Sequence, residues 1–218
     1  MIQFHSVSKR YGKGRDVLSN VNLAVDAAEL VFLTGPSGAG KSTLLQLLAL
    51  VERPSGGQIK VGGTDLGLFK RSQIPYYRRN LGVVFQNPHL LSDRSVFDNV
   101  ALPLVVMGYH HRDIAKRVRA ALDLVGLLGK ERSLPVQLSG GEQQRVGIAR
   151  AIAHRPPIVL ADEPTGNLDP ELSLETMRLF ERLQQLGVTA VIVTHDLELL
   201  GHFKHRVLGL RDGNVEHD

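Results

Sequence analysis

The octapeptide GPSGAGKS, Gly35 to Ser42, is the segment of this chain best suited to chemistry. Its spacing is G-x-x-x-x-G-K-S, between the apolar run LVFL and a helical pattern, the context in which such a loop grips phosphate. Gly35, Gly38 and Gly40 let the backbone turn its N–H groups inward, and the following helix adds the positive end of its dipole. Lys41 is expected to reach the β- and γ-phosphates and Ser42 to place its hydroxyl on Mg²⁺, with Pro36, Ser37, Ala39 and Thr43 completing the cradle. The loop by itself leaves ATPases, GTPases and small-molecule kinases open, although a guanine-reading Asn-Lys-x-Asp is absent.

A magnesium ion needs a carboxylate, and IVLADEP supplies Asp162 and Glu163 at the end of an apolar run. A buried strand ending there aims both at a ligand bound beyond the carboxyl edge of a sheet. Asp162 is the expected partner of Mg²⁺, directly or through water, and Glu163 is placed to polarise an attacking water. A second glycine-rich helix start, LSGGEQQR, begins at Leu138. There Ser139, Gly140 and Gly141 offer free N–H groups, a hydroxyl and a helix's positive end, a second place for an anion. A capping box explains Ser139 and Glu142 but not the two glycines. Tyr11, just past the first strand-like run, is a candidate to stack on a nucleotide base.

These groups need a scaffold. LVFLTG, PIVLAD and TAVIVTHD are apolar on both faces and rich in β-branched residues, as buried parallel strands are. Helical patterns intervene, as in KSTLLQLLAL and PELSLETMRLFERLQQLG, the second stopping at Gly187. The alternation predicts an α/β core around a parallel sheet. QFHSVS and NVNLAVD alternate like antiparallel strands with one wet face, and HRVLGLRDGNVEH reads as a hairpin turning at Asp212-Gly213. The middle of the chain is mostly helical in pattern. The expected organisation is one domain, 1–218, with a core of 1–86 and 156–218 and a helical subdomain over 87–155.

Composition narrows the class. The chain has 218 residues, 43% hydrophobic and 22% charged, enough for a substantial core. The absence of cysteine excludes a disulfide framework and a cysteine-based zinc site. The most apolar run, VALPLVVMGY, is about half a membrane span and contains a proline, so the chain is not expected to cross a bilayer. Its start lacks the pattern of a secretory signal. Net charge is +4, with clusters at Lys70, Arg71, Arg78 and Arg79 and at Arg112, Lys116, Arg117 and Arg119. In the second cluster Ile114, Val118, Leu122 and Val125 recur at helical spacing, which reads as the wet face of an amphipathic helix.

Taken together, these segments resemble the ATP-binding cassette (ABC) family. GPSGAGKST matches its Walker A motif, IVLADEP its Walker B and LSGGEQQR its signature. Asn167-Leu168-Asp169 resembles its D-loop, Gln86 its Q-loop, His195 its switch histidine and Tyr11 its A-loop aromatic, all in the family's order. The resemblance implies a P-loop NTPase fold: a RecA-like core with an antiparallel β subdomain and an inserted helical subdomain. It implies ATP and Mg²⁺, with the metal served by Ser42, Gln86 and Asp162. It also implies a homodimer formed on ATP binding, each nucleotide held by Walker A of one chain and Ser139, Gly140 and Gly141 of the other. Glu163 is then the catalytic base, His195 contacts the γ-phosphate, Gln86 senses metal and water, and Asp169 acts across the interface.

LADEPTGNLD and GEQQRVGIARA resemble the branch that holds lipoprotein-releasing, macrolide-export and cell-division cassettes. YYRRNLGVVFQNPHLLSDRSVFDNVALPL is most similar to the cell-division members, notably at Asp93-Arg94-Ser95-Val96. Asn87-Pro88 departs from the Asp-His more common there. The resemblance implies an integral membrane subunit docking on the region around 86–109, with the cassette peripheral at the cytoplasmic face of a bacterial inner membrane. Other division proteins are further expected partners, and nucleic acid is not. The rival readings are a lipoprotein-release or export ATPase and, from a different class, a soluble nucleic-acid ATPase.

Overall fold

The computed structural model describes residues 1–12, 14–166 and 168–217. The first half carries β1 (Ile2–Arg10), β2 (Asp16–Val25), β3 (Leu30–Thr34), α1 (Lys41–Leu48), β4 (Gly56–Val61), β5 (Thr64–Asp65), α2 (Ile74–Arg78) and β6 (Leu81–Val84). Three longer helices follow, α3 (Val96–Val106), α4 (His111–Leu124) and α5 (Gly140–Ile152). The chain closes with β7 (Ile158–Asp162), α6 (Pro170–Gln185), β8 (Thr189–Val193), α7 (Leu197–Leu200), β9 (Arg206–Arg211) and β10 (Asn214–His217).

The apolar runs form the main sheet, ordered β10-β9-β3-β8-β7-β6, in which every neighbouring pair is parallel except the β9–β10 hairpin. All residues of β3 and β8 are buried because the sheet is covered on both faces. Phe32 points into one core cluster, with Val100, Ile148 and Phe180; Val31 and Leu33 point into the other, with Phe4, Leu44 and Leu47. The hairpin turns at Asp212 and Gly213, with φ of 47° and 78°, the two positive values a tight two-residue turn requires. Leu33 and Asp162 both pair with Val193, so the carboxyl ends of β3, β7 and β8 lie side by side. That register positions the site.

β1 and β2 pair antiparallel and extend through β4 and β5 into a second sheet, ordered β2-β1-β4-β5. Between β6 and β7 the described residues form helices, connections and no strand. α4 buries Ile114, Val118, Ala121 and Leu122 on one stripe while Arg112, Lys116 and Arg119 stay exposed, as its pattern predicts. Asn99 of α3 is fully buried and donates through Nδ2 to Leu91 O, Arg94 O and Ser95 O, while its Oδ1 accepts from Leu91 N at 2.8 Å. One side chain thus fixes the 91–95 connection to the helix. Among the described residues no helix is long and apolar enough to cross a membrane.

Candidate active site

The phosphate-binding loop follows β3 and wraps the start of α1. Gly35, Gly38 and Gly40 all take positive φ, at 141°, 80° and 105°. A Cβ at Gly35 would sit 2.0 Å from Leu210 O, and one at Gly40 would sit 2.8 Å from Val17 O, so the packing of β9 and β2 requires both glycines. Gly40 brings no capping side chain to α1, which leaves the first-turn N–H groups without a side-chain acceptor. Lys41 is buried, and its ammonium donates to Gly35 O at 2.7 Å and Pro36 O at 2.9 Å. The loop lines a cavity of about 610 Å³ that also touches Val17, Glu163, Val193 and His195.

Asp162 ends β7, and Glu163 leaves the sheet with its N–H donating to Val193 O at 3.0 Å. Glu163 has φ of 46°, the left-handed region a side-chain-bearing residue seldom adopts and a form of strain concentrated at functional sites. Its Oε1 lies 3.0 Å from His195 Nδ1. The paired Glu163 and His195 line both the loop cavity and a second one of about 270 Å³ bounded by Thr165, Gly166 and Leu168. Burial raises the Asp162 carboxyl above its ordinary value and neighbouring Glu163 raises it further, while a Ser42 hydrogen bond and the Lys41 charge pull it back. A half-buried carboxylate beside a serine hydroxyl is an all-oxygen donor set, the chemistry a hard divalent cation takes, and a cation would offset the cost of ionising Asp162. A Cβ at Gly166 would lie 3.2 Å from Gln86 Nε2 and 3.4 Å from Glu163 Oε2, so Gln86, Glu163 and Gly166 converge.

Ser139, Gly140 and Gly141 line neither cavity. Ser139 caps α5, accepting from Glu142 N at 3.2 Å while its own N–H donates to Glu142 Oε2 at 3.0 Å. The two glycines there differ. A Cβ at Gly141 would meet Leu172 Cδ1 at 2.9 Å and Leu168 Cδ2 at 3.3 Å, so the ends of two side chains from α6 and its leading turn lie against that glycine. A Cβ at Gly140 would meet nothing within 4 Å among the described residues, so none of them accounts for it. Asp169 caps α6, accepting from Leu172 N at 3.0 Å; Asn167 lies outside the described residues. Tyr11 is 43% exposed, donates to Gln46 Oε1 of α1 at 3.2 Å, and has Lys9 Nζ 4.7 Å from its ring centroid. Gly166 and Gln144, whose Nε2 donates to Phe85 O at 3.0 Å, are neighbours of Gln86 that no local pattern marks.

A family model described as ABC transporter matches residues 18–166, and the chain belongs to that family. Among curated proteins it is similar to the cell division ATP-binding protein FtsE of Escherichia coli K12, 52% identical over 215 residues, 99% of this chain and 97% of the relative. The FtsE protein of Bacillus subtilis strain 168 is 45% identical over 218 residues, 100% of this chain and 96% of the relative. Among solved structures the dimeric ATP-binding cassette MJ0796 in a post-hydrolysis state, bound to ADP and Pi, is 36% identical with a TM-score of 0.90, covering 100% of this chain and 97% of that one. The fold described above is therefore the ABC ATPase fold.

Proposed function

We propose that this ABC ATPase is the nucleotide-hydrolysing subunit of an FtsEX-type complex in bacterial cell division. In this reading ATP draws two chains together, and their pairing moves the membrane partner FtsX to regulate septal cell-wall hydrolysis. The observation that carries it is full-length identity of 45–52% with FtsE proteins from both Escherichia coli and Bacillus subtilis.

The chemistry follows from the chain's own groups. On ATP binding Lys41 exchanges the carbonyls of Gly35 and Pro36 for β- and γ-phosphate oxygens. Pro36, Ser37, Gly38, Ala39, Gly40 and Thr43 complete the cradle around the phosphates, and Tyr11 flanks the base. Glu163 takes the proton of the water that attacks the γ-phosphorus; the bond to the bridging oxygen breaks, leaving ADP and inorganic phosphate. His195 is tied to Glu163 through Nδ1, and its Nε2 faces the γ-phosphate. Mg²⁺, for which Ser42, Asp162 and Gln86 are the ligands we assign, supplies charge neutralisation at the phosphate oxygens when bound.

The positive end of α5 in one chain, at Ser139, Gly140 and Gly141, caps the γ-phosphate held by the other, with Asp169 acting across the same interface. The unexplained Gly140 supports this shared site. Membrane docking falls on the region around 86–109, where Leu91, Leu102, Val105 and Val106 expose apolar surface. The helices within 87–155 form the lobe that carries this surface, against a nucleotide-holding core of 1–86 and 156–218. The cassette would then sit peripherally at the cytoplasmic face of the inner membrane, with other division proteins as further partners.

The test is to solubilise the protein gently from its native membranes and identify the integral membrane protein that accompanies it. An FtsX-type subunit with a large external domain is expected. A lipoprotein-release or export permease would overturn the division role and leave the ATP chemistry standing. DNA-stimulated, salt-sensitive turnover would overturn both partner readings.

A further inference from the structure

We infer that Gln144 and Arg150 of α5 are positioning residues for Gln86, gripping the backbone on both sides of it. The inference rests on the reading of Gln86 as an ATP-site residue. Gln144 is 4% exposed and donates through Nε2 to the carbonyl of Phe85, immediately before Gln86 and 59 residues away in sequence. Arg150 donates through Nη1 to His89 O at 3.2 Å and through Nη2 to Pro88 O. Gly147 lies between them, and a Cβ there would come within 2.8 Å of Pro88 Cβ. Positions 144, 147 and 150 recur every three residues and so share one face of α5.

The gripped segment is itself shaped to be held. His89 has φ of 45°, its N–H donates to Asn87 Oδ1 at 3.2 Å, and its ring packs edge-on against Phe85 at 6.2 Å. These contacts bend residues 85–89 into a turn whose carbonyls face α5 while Gln86 Nε2 faces Gly166 beside Glu163. The bonds to the Phe85 and Pro88 carbonyls are part-buried, so losing these donors carries a cost and the turn follows α5 when the helix shifts. α5 is the helix that opens at Ser139. Its first turn and Gln86 therefore move as one body, and a phosphate gripped at one end sets the placement of the amide at the other.

The chain contains no cysteine, so a nitroxide attached at Asn87→Cys reports this turn alone; it removes the Asn87–His89 bond in every background, so each variant is compared with the labelled parent. Gln144→Met keeps the volume and removes the donor; Arg150→Lys, a milder change, keeps the charge and removes the fork. In the full-length chain each is expected to raise nitroxide mobility. In the complex isolated with its membrane partner, each is expected to lower kcat roughly three- to tenfold, the scale of one hydrogen bond. KM for ATP should stay within about twofold, because the Lys41 cradle is untouched. A fall in kcat with unchanged mobility, greater mobility with unchanged kcat, or a KM that rises in step with the loss would each overturn the inference. Gln86→Ala separates the two levels of the argument. If it leaves kcat unchanged, the role of Gln86 fails, whereas a normal Gln144→Met beside a defective Gln86→Ala defeats the positioning claim alone.

Discussion

Gly140→Ala separates folding from function at the start of α5. The added methyl has no neighbour within 4 Å among the described residues, and Gly140 is helical, so the change introduces no clash with them and no backbone strain. Alanine outranks glycine in a helix interior by about 1 kcal/mol, and the first helical position takes roughly half of that. In a chain of this size each kcal/mol is about 2–4 °C, so the nucleotide-free protein should melt about 1–2 °C higher. Gly141→Ala is the contrast: its methyl would meet Leu172 at 2.9 Å and Leu168 at 3.3 Å. Those atoms end flexible side chains that must shift to admit it, so this variant should gain less in melting temperature than Gly140→Ala. If Gly140 lets the helix end approach a phosphate held by a second chain, the methyl there holds it off. The expected loss is at least about tenfold in kcat/KM, equivalent to roughly 1.4 kcal/mol of transition-state contact. Calorimetry without nucleotide and steady-state phosphate release with ATP give the two readings. Normal turnover in Gly140→Ala would refute the argument that the glycine serves phosphate, and a lowered melting temperature would refute the claim that the position is open.

Lys41→Ala should abolish ATP binding, because among the described residues no other ammonium lines the loop cavity; unchanged affinity by equilibrium dialysis would remove the loop from the account. Asp162→Asn should raise the melting temperature of the nucleotide-free protein at pH 7 while eliminating Mg²⁺-dependent turnover. The sign follows from linkage: the folded carboxyl titrates above the ordinary 3.8, so its ionisation costs stability at pH values above the folded value and nothing below 3.8. The stabilisation by asparagine should therefore shrink as pH falls from 7 toward 4, and a gain independent of pH would contradict the burial argument.

The chemistry was more legible in the sequence than the geometry that assembles it. The phosphate loop is eight consecutive residues, so spacing alone identifies it. β3, β7 and β8 are legible because both faces are buried, which forces continuous apolar runs such as Val31-Phe32-Leu33. β6 is only four residues long, and it carries Gly82 because a Cβ there would meet Ala151 O at 2.5 Å. That requirement comes from α5, far along the chain, and leaves a weak local pattern. β5 is two residues after a Gly62-Gly63 turn, too short to show a period. The pairing of Glu163 with His195 depends on β7 and β3 both flanking β8, an order that periodicity does not encode. The same holds for Gly141, whose neighbours are Leu168 and Leu172, and for Gln144, whose partner is the carbonyl of Phe85.

The shared ATP site is the central claim, and light scattering on Glu163→Gln tests it most directly. With the base removed, ATP should bind and persist, and the measured mass should double on adding ATP and return to that of a monomer when nucleotide is removed. Adding Ser139→Arg in the same background should leave ATP bound to a monomer. A Glu163→Gln protein that stays monomeric with ATP bound, or a Ser139→Arg variant that still doubles its mass, would contradict the account.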